Sequence, residues 1–217
     1  MIDFEQARVK MVDGQIRTTD VTYHSIIAAF LDIPREIFVP DSLKAVAYID
    51  EDLPIAPGRY LMDPSPLGKL LQLAEIRSSD LALEIGAGTG YVSALLGRLA
   101  GGVVAVESDP DLATKARENL AKLGQDNVKV VDAPLEQGYQ SDAPYDLIFI
   151  NGAVEEIPAP LFQQLREGGR LIAVVGEGHS ARATLFVKAA GTISSTAFFN
   201  ATIKPLPGFS KAREFVF

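Results

Sequence analysis

Three glycines at alternate positions, Gly86, Gly88 and Gly90, follow an apolar run that ends in an acid, in the stretch LALEIGAGTGY. Glycine lacks a Cβ, so it allows a tight turn and lets a ligand approach backbone that a side chain would shield. Glu84 stands two residues before the first glycine. A second acid, Glu107, closes the apolar run VVAVE 21 residues after Gly86, where an acid that receives ribose hydroxyls is expected. A third, Asp132, closes NVKVVD, and its carboxylate could accept a hydrogen bond from an adenine amino group. Each feature has a plainer reading alone: a strand-to-helix turn, a solvated strand end, a loop start. In succession, each at the end of an apolar run, they point to a nucleoside-type cofactor.

Two cofactor classes compete for such a site. A dinucleotide fold wants G-x-G-x-x-G, with the pyrophosphate at the helix start. That pattern needs Gly or Ala where this chain has Tyr91, and Glu84 would face a pyrophosphate unhelpfully. An acid suits a cationic ligand better. The pattern E-x-G-x-G-x-G after a strand resembles the first motif of the Rossmann-like methyltransferases, whose cofactor S-adenosylmethionine carries an ammonium and a sulfonium but no phosphate. The resemblance implies cofactor contacts from Glu84, Gly86, Ala87, Gly88, Thr89, Gly90, Glu107, Ser108, Asp132 and Ala133, with S-adenosyl-L-homocysteine as the product. No metal and no nicotinamide cofactor is expected.

Regular elements must hold these residues at strand ends. Residues 3–16 and 21–31 carry apolar residues at helical spacing. Dense prolines from Pro34 to Pro66 predict an extended, looping path, and LGKLLQLAEI reads as an amphipathic helix. From residue 80 short apolar strands (DLALEI, GGVVAVE, NVKVV, YDLIFI, RLIAVVG) alternate with helices (GYVSALLGRLA, DPDLATKARENLAKLG, PAPLFQQLREGG). That alternation predicts an α/β fold, Rossmann-like and doubly wound, with a mainly parallel sheet and helices on both faces. Asp109 is the expected N-cap of the second of those helices, Pro110 its first residue and Gly124 its end. ATLFVKAAGTISSTAFF reads as two antiparallel strands joined at Ala190-Gly191, and REFVF as a last strand. The chain is read as a single domain over 1–217, with an amino-terminal helical and loop cap (1–79), an αβ core (80–175) and carboxyl-terminal strands (176–217).

Composition narrows the class further. Hydrophobic residues make up 47% and charged residues 22%, ordinary for a soluble globular protein. A net charge of -8 repels phosphate backbones, so nucleic acid is not an expected partner. No cysteine is present, which excludes disulfides and thiolate metal sites. His24 and His179 are too few for a His-rich metal centre; His24 reads as structural, and His179, in the loop GEGHSAR, is a weak candidate for a substrate contact. The start MIDFEQARVK has no signal-peptide core, and no apolar run reaches the roughly 18 residues a membrane helix needs. A cytoplasmic protein is expected.

Several further stretches resemble the protein-L-isoaspartate O-methyltransferase family, from about residue 8 to about residue 176: MVDGQI, IPREIFVP, AYIDEDLPIAPG, LEIGAGTGY, LGQDNVKVVDA, APYDLIFINGAVEEIP and QLREGGRLIAVVG. The resemblance implies an enzyme that methylates the free carboxylate of isoaspartyl residues in damaged proteins. One stretch departs from the pattern. Where the family usually shows G-Q-T-I-S-x-P, this chain has Gly58-Arg59-Tyr60-Leu61-Met62-Asp63-Pro64. Met62 occupies the Ser position and Tyr60 the Thr position, and a thioether is a poor hydrogen-bond partner. Asp63 would repel a substrate carboxylate unless it turns away. Arg59 could attract one, an exposed arginine being the plainer reading. Ser65 could supply a hydroxyl three residues late. The expected function is an S-adenosylmethionine-dependent O-methyltransferase with weak isoaspartyl activity. The alternatives are a methyltransferase with another substrate and a silent module that binds cofactor or protein.

Overall fold

In the computed structural model, which describes residues 2–211, a seven-stranded sheet runs in the order β5-β4-β3-β6-β7-β8-β9. Its strands are β3 (Leu81–Ile85), β4 (Gly102–Glu107), β5 (Val128–Asp132), β6 (Tyr145–Val154), β7 (Leu165–Val175), β8 (Arg182–Ala189) and β9 (Thr192–Asn200). The first five are parallel, while β8 and β9 add antiparallel to β7. The hairpin turns at Ala190 and Gly191, both at positive φ. REFVF lies outside the described residues.

Side chains alternate between the two faces of the sheet, as a period of two requires. Ala82, Leu147, Phe149, Ile172 and Val174 pack with residues of α2 (His24–Asp32), α3 (Pro64–Leu73), α4 (Tyr91–Leu99) and α5 (Pro110–Lys122). Leu83, Ile85, Val106, Ile148 and Leu171 pack with Leu161 of the short α6 (Ala159–Gln163) and with Leu206 and Phe209 beyond β9. Both faces are covered, as expected, but the second is covered largely by loop and by the carboxyl-terminal segment.

The amino-terminal cap begins with α1 (Phe4–Met11), N-capped by Asp3, and continues through a π-helical turn to Ile16. The proline-dense stretch holds two 3-10 turns and a two-stranded hairpin, β1 (Leu53–Ala56) with β2 (Arg59–Leu61). Asp63 accepts from the Ser65 amide and caps α3, which therefore starts at Pro64, three residues before the apolar pattern begins. Asp109 caps α5 as the sequence predicts, accepting from the Asp111 and Leu112 amides.

One helix is much shorter than its pattern. The pattern of PAPLFQQLREGG predicts a helix closed by glycines, yet α6 ends at Gln163 and β7 begins at Leu165. The Gln164 side chain turns inward, donating to the Gln137 carbonyl and accepting from the Tyr139 amide. Gly169 runs so close to its neighbours that a Cβ there would lie 2.8 Å from the Arg166 carbonyl oxygen and 3.0 Å from that of Tyr145. Tertiary contacts override the local helical pattern there.

Among the described residues, no helix is long and apolar enough to cross a membrane.

Candidate cofactor and substrate site

Strand β4 lies on one side of β3 and β6 on the other, so the chain reverses its winding at β3. A crevice at the carboxyl end of that strand is where ligands of doubly wound sheets bind. The glycine turn sits there. Gly86, Gly88 and Gly90 have φ of +87°, +58° and +95°, the left-handed region that side chains disfavour. The Gly86 and Ala87 amides both donate to the Val106 carbonyl, which folds the loop over the end of β4. The Thr89 hydroxyl donates to the Phe38 carbonyl at 2.6 Å, tying the loop to IPREIFVP. Tyr91 is buried and packs on the Phe38 ring with the Arg35 guanidinium 5.0 Å from its centroid, which explains a large residue where a dinucleotide fold needs a small one.

Glu84 is fully buried behind the turn. It accepts from the Ser93 hydroxyl at 2.5 Å and from the Asn151 amide at 3.0 Å. Burial is the main cause that pushes its carboxyl up to about 7, with the two hydrogen bonds opposing the shift and Glu107 adding to it. Glu84 therefore clamps α4 and β6 to the loop from within. Asn151 also donates to the Gly86 carbonyl at 3.1 Å, from an irregular stretch of β6.

Glu107 is the hub of the crevice and is fully buried. Its Oε1 accepts from Arg59 at 2.5 Å, from the Ser108 amide at 2.8 Å and from the Asp109 amide at 3.0 Å. Its Oε2 accepts from the other arm of Arg59 at 2.6 Å and from the Gly88 amide at 2.7 Å. A carboxylate offers about four lone-pair sites, so none is left free. The sequence alone predicts that Arg59 either attracts a substrate carboxylate or lies exposed; it does neither, being only 7% exposed and closed on Glu107 as a fork.

The remaining predicted cofactor residues are placed less centrally. Asp132 pairs in register with Glu107, but its exposed carboxylate accepts from Arg117 at 2.9 Å. Ala133 donates its amide to the Glu107 carbonyl. Ser108 is exposed beyond its amide contact. Both histidines are also exposed, His24 at the first position of α2 and His179 in the turn Gly178–Ser180.

A family model for protein-L-isoaspartate(D-aspartate) O-methyltransferase (PCMT) matches residues 6–207. The protein-L-isoaspartate O-methyltransferase of Methanoculleus marisnigri is 43% identical over 93% of this chain and 91% of its own. That of Koribacter versatilis is 36% identical over 97% and 96%. This chain belongs to the protein-L-isoaspartate O-methyltransferase family. A solved protein-L-isoaspartate O-methyltransferase superposes with a TM-score of 0.82 at 30% identity, covering 93% of this chain and 66% of that one.

The stretch 58–64 departs from the expected family pattern, and the structure places its side chains apart from one another. Met62 is buried in the main core, and its backbone carbonyl accepts from Arg35 at 2.8 Å. Tyr60 is exposed, with the Lys204 ammonium 5.6 Å from its ring centroid. Asp63 turns away to cap α3; burial and the neighbouring Asp50 push its carboxyl up to about 7. The Ser65 hydroxyl donates to Asp50 at 2.6 Å, so it is engaged in the same cap.

For S-adenosylmethionine the residue types fit, with bare backbone at three glycines and an acid at the next strand end. The arrangement, however, is shut. Cβ atoms built on Gly86 and Gly88 would lie 2.7 Å from Leu206 and 2.8 Å from Ile55. The cavity beside Arg59, Tyr60, Met62 and Lys204 measures about 20 Å³, room for one water. Sequence reading missed Asn151, Lys204 and Leu206 as parts of this site. Asn151 lies inside the stretch APYDLIFINGAVEEIP and could have been singled out as the polar side chain that closes the apolar run LIFI.

Proposed function

We propose that this chain is an S-adenosylmethionine-dependent O-methyltransferase that esterifies the free carboxylate of isoaspartyl residues in damaged proteins, slowly, as a step of cytoplasmic protein repair. The observation that carries this reading is family membership over residues 6–207 combined with three glycines at positive φ in the turn at the carboxyl end of β3. S-adenosylmethionine supplies a methyl group on a sulfonium, activated for transfer. Gly86, Gly88 and Gly90 offer backbone to it, Glu107 the acceptors for ribose hydroxyls, and Asp132 and Ala133 the adenine side. Glu84, Ala87, Thr89 and Ser108 hold the turn and the strand end in shape.

The substrate carboxylate is ionised at neutral pH, so no general base is demanded of the chain. What the chain must do is hold that carboxylate in line. Lys204, at the rim of the crevice, offers a cation to it, and Tyr60 a hydroxyl. Met62 offers no donor where the family pattern has Ser. A missing donor to a reacting oxygen costs about a hundredfold in rate. Slow turnover follows.

The test is transfer of labelled methyl to an isoaspartyl peptide, with its aspartyl twin as control. Slow ester formation on the isoaspartyl peptide alone is expected. Ester on neither peptide, with cofactor bound, would favour a methyltransferase with another substrate or a silent binding module.

A further inference from the structure

The geometry points to Arg59 as an internal occupant of the cofactor seat: its guanidinium holds Glu107 where ribose hydroxyls would bind, so the cofactor enters only by displacing it. This rests on the reading above, in which the glycine turn and Glu107 form that seat. Three observations converge on it.

First, Glu107 has no acceptor to spare. Two arms of Arg59 and three backbone amides already occupy it. A diol can hydrogen-bond there only after the fork withdraws. Second, the glycines are covered by the chain itself. Ile55 lies over Gly88, and Leu206 lies over both Gly86 and Gly152, where Cβ atoms would meet it at 2.7 and 2.8 Å. Leu206 is not loosely placed: its amide donates to the Ala153 carbonyl at 2.8 Å, and the Ala153 amide donates to the Lys204 carbonyl at 3.0 Å. Third, the cavity lined by Arg59 holds only about 20 Å³, against the roughly 300–1,000 Å³ of small-molecule pockets, and the larger spaces beside Ile55 and Thr89 and beside Ala153 and Leu206 are lined by neither Glu107 nor Gly88.

The element that carries Arg59 is not hydrogen-bonded into the main sheet. β1 and β2 pair only with each other, over four and three residues, and do not join the seven-stranded sheet. Leu53, Ile55 and Leu61 pack it onto the main core, so the open arrangement is a minor state of the molecule. Gly58, at φ +69° in its turn, has open space around it. Withdrawal of this hairpin would remove Arg59 and Ile55 together, uncovering Glu107 and Gly88 at once. The apparent dissociation constant is the intrinsic one divided by the fraction of molecules with the seat open, so Arg59 sets affinity through that fraction.

Calorimetry with S-adenosyl-L-homocysteine on the full chain tests this, comparing the native protein with Arg59→Gln, Arg59→Lys and Leu206→Ala. Glutamine is neutral and too short to fork onto Glu107, so Arg59→Gln should bind at least tenfold tighter. Lysine keeps a point charge without the fork and should fall between. Leu206→Ala should also gain affinity, and it keeps the assay decisive if Arg59→Gln does not fold. In the native protein at saturating ligand, hydrogen exchange across residues 53–61 should speed up as the hairpin is displaced. Affinities of Arg59→Gln and Leu206→Ala within twofold of native, or slower exchange in the hairpin on binding, would overturn the proposal and leave the cofactor seat standing. No binding by any folded variant would overturn the seat itself and the proposal with it.

Discussion

The glycine turn after β3 and the hairpin of β1 and β2 meet at one carboxylate, Glu107, and stand in different relations to the family pattern. The turn keeps its glycines at positive φ and its buried acids. The hairpin and the loop to α3 keep glycine and proline at the expected spacing, yet carry Arg59, Tyr60 and Met62 between them. The turn's residues are fixed by backbone geometry that few side chains tolerate. The hairpin's residues are fixed only by what they must touch, so they are free to change when the ligand or its control changes. On the proposed reading, one half of the site keeps the family pattern while the other departs from it on the same frame.

The comparison can be broken at its rigid half. Gly88→Val forces a β-branched residue to φ +58° and covers the backbone, so S-adenosyl-L-homocysteine binding should fall by more than about a hundredfold, read by calorimetry. Unchanged binding would mean that the ligand approaches elsewhere.

It can be sharpened by contrasting the two acids at adjacent strand ends. Glu107→Ala leaves the Arg59 guanidinium buried and unpaired and should cost about 3–5 kcal/mol of stability in urea unfolding. Asp132→Ala breaks an exposed pair with Arg117 and should cost less than about 1 kcal/mol. Equal losses would contradict the assignment of Glu107 as the hub.

A smaller effect lies in the dependence on pH. Glu84 titrates near 7 in the fold against an ordinary value of 4.5, so the folded state binds a proton that the unfolded state has released. The stability this contributes is fully present below pH 4.5 and is lost as pH rises through 7, on the order of 3 kcal/mol. Glu84→Gln should flatten that part of the stability–pH profile. A profile identical to that of the native protein would remove Glu84 as its cause.

Much of this was legible in the sequence. Strand and helix alternation gave the parallel core, and three acids closing successive apolar runs gave the strand ends at the crevice. The Asp109–Pro110 cap was visible because capping is local. What could not be read was long-range. Arg59 and Glu107 are 48 residues apart, and nothing in GRYLMD distinguishes a buried fork from a solvated arginine. Leu206 over Gly86 joins segments still farther apart. The early end of α6 likewise depends on Gln164 reaching back to Gln137 and Tyr139. Asp132 was legible as a strand-end acid, but not its turn outward to Arg117.

The contrast between the two halves is tested most directly by restoring hydroxyls to the altered one. Methyl ester formation on an isoaspartyl peptide, at saturating S-adenosylmethionine, should rise by about a hundredfold in the Met62→Ser, Tyr60→Thr double variant. Met62 is buried, so the variant should also lose about 2–3 kcal/mol of stability, and its folding is checked alongside. Its affinity for S-adenosyl-L-homocysteine should stay within about threefold of native, since the glycine turn is untouched. Fast native turnover that the folded double variant fails to improve would contradict the claim that the substrate half has been rebuilt.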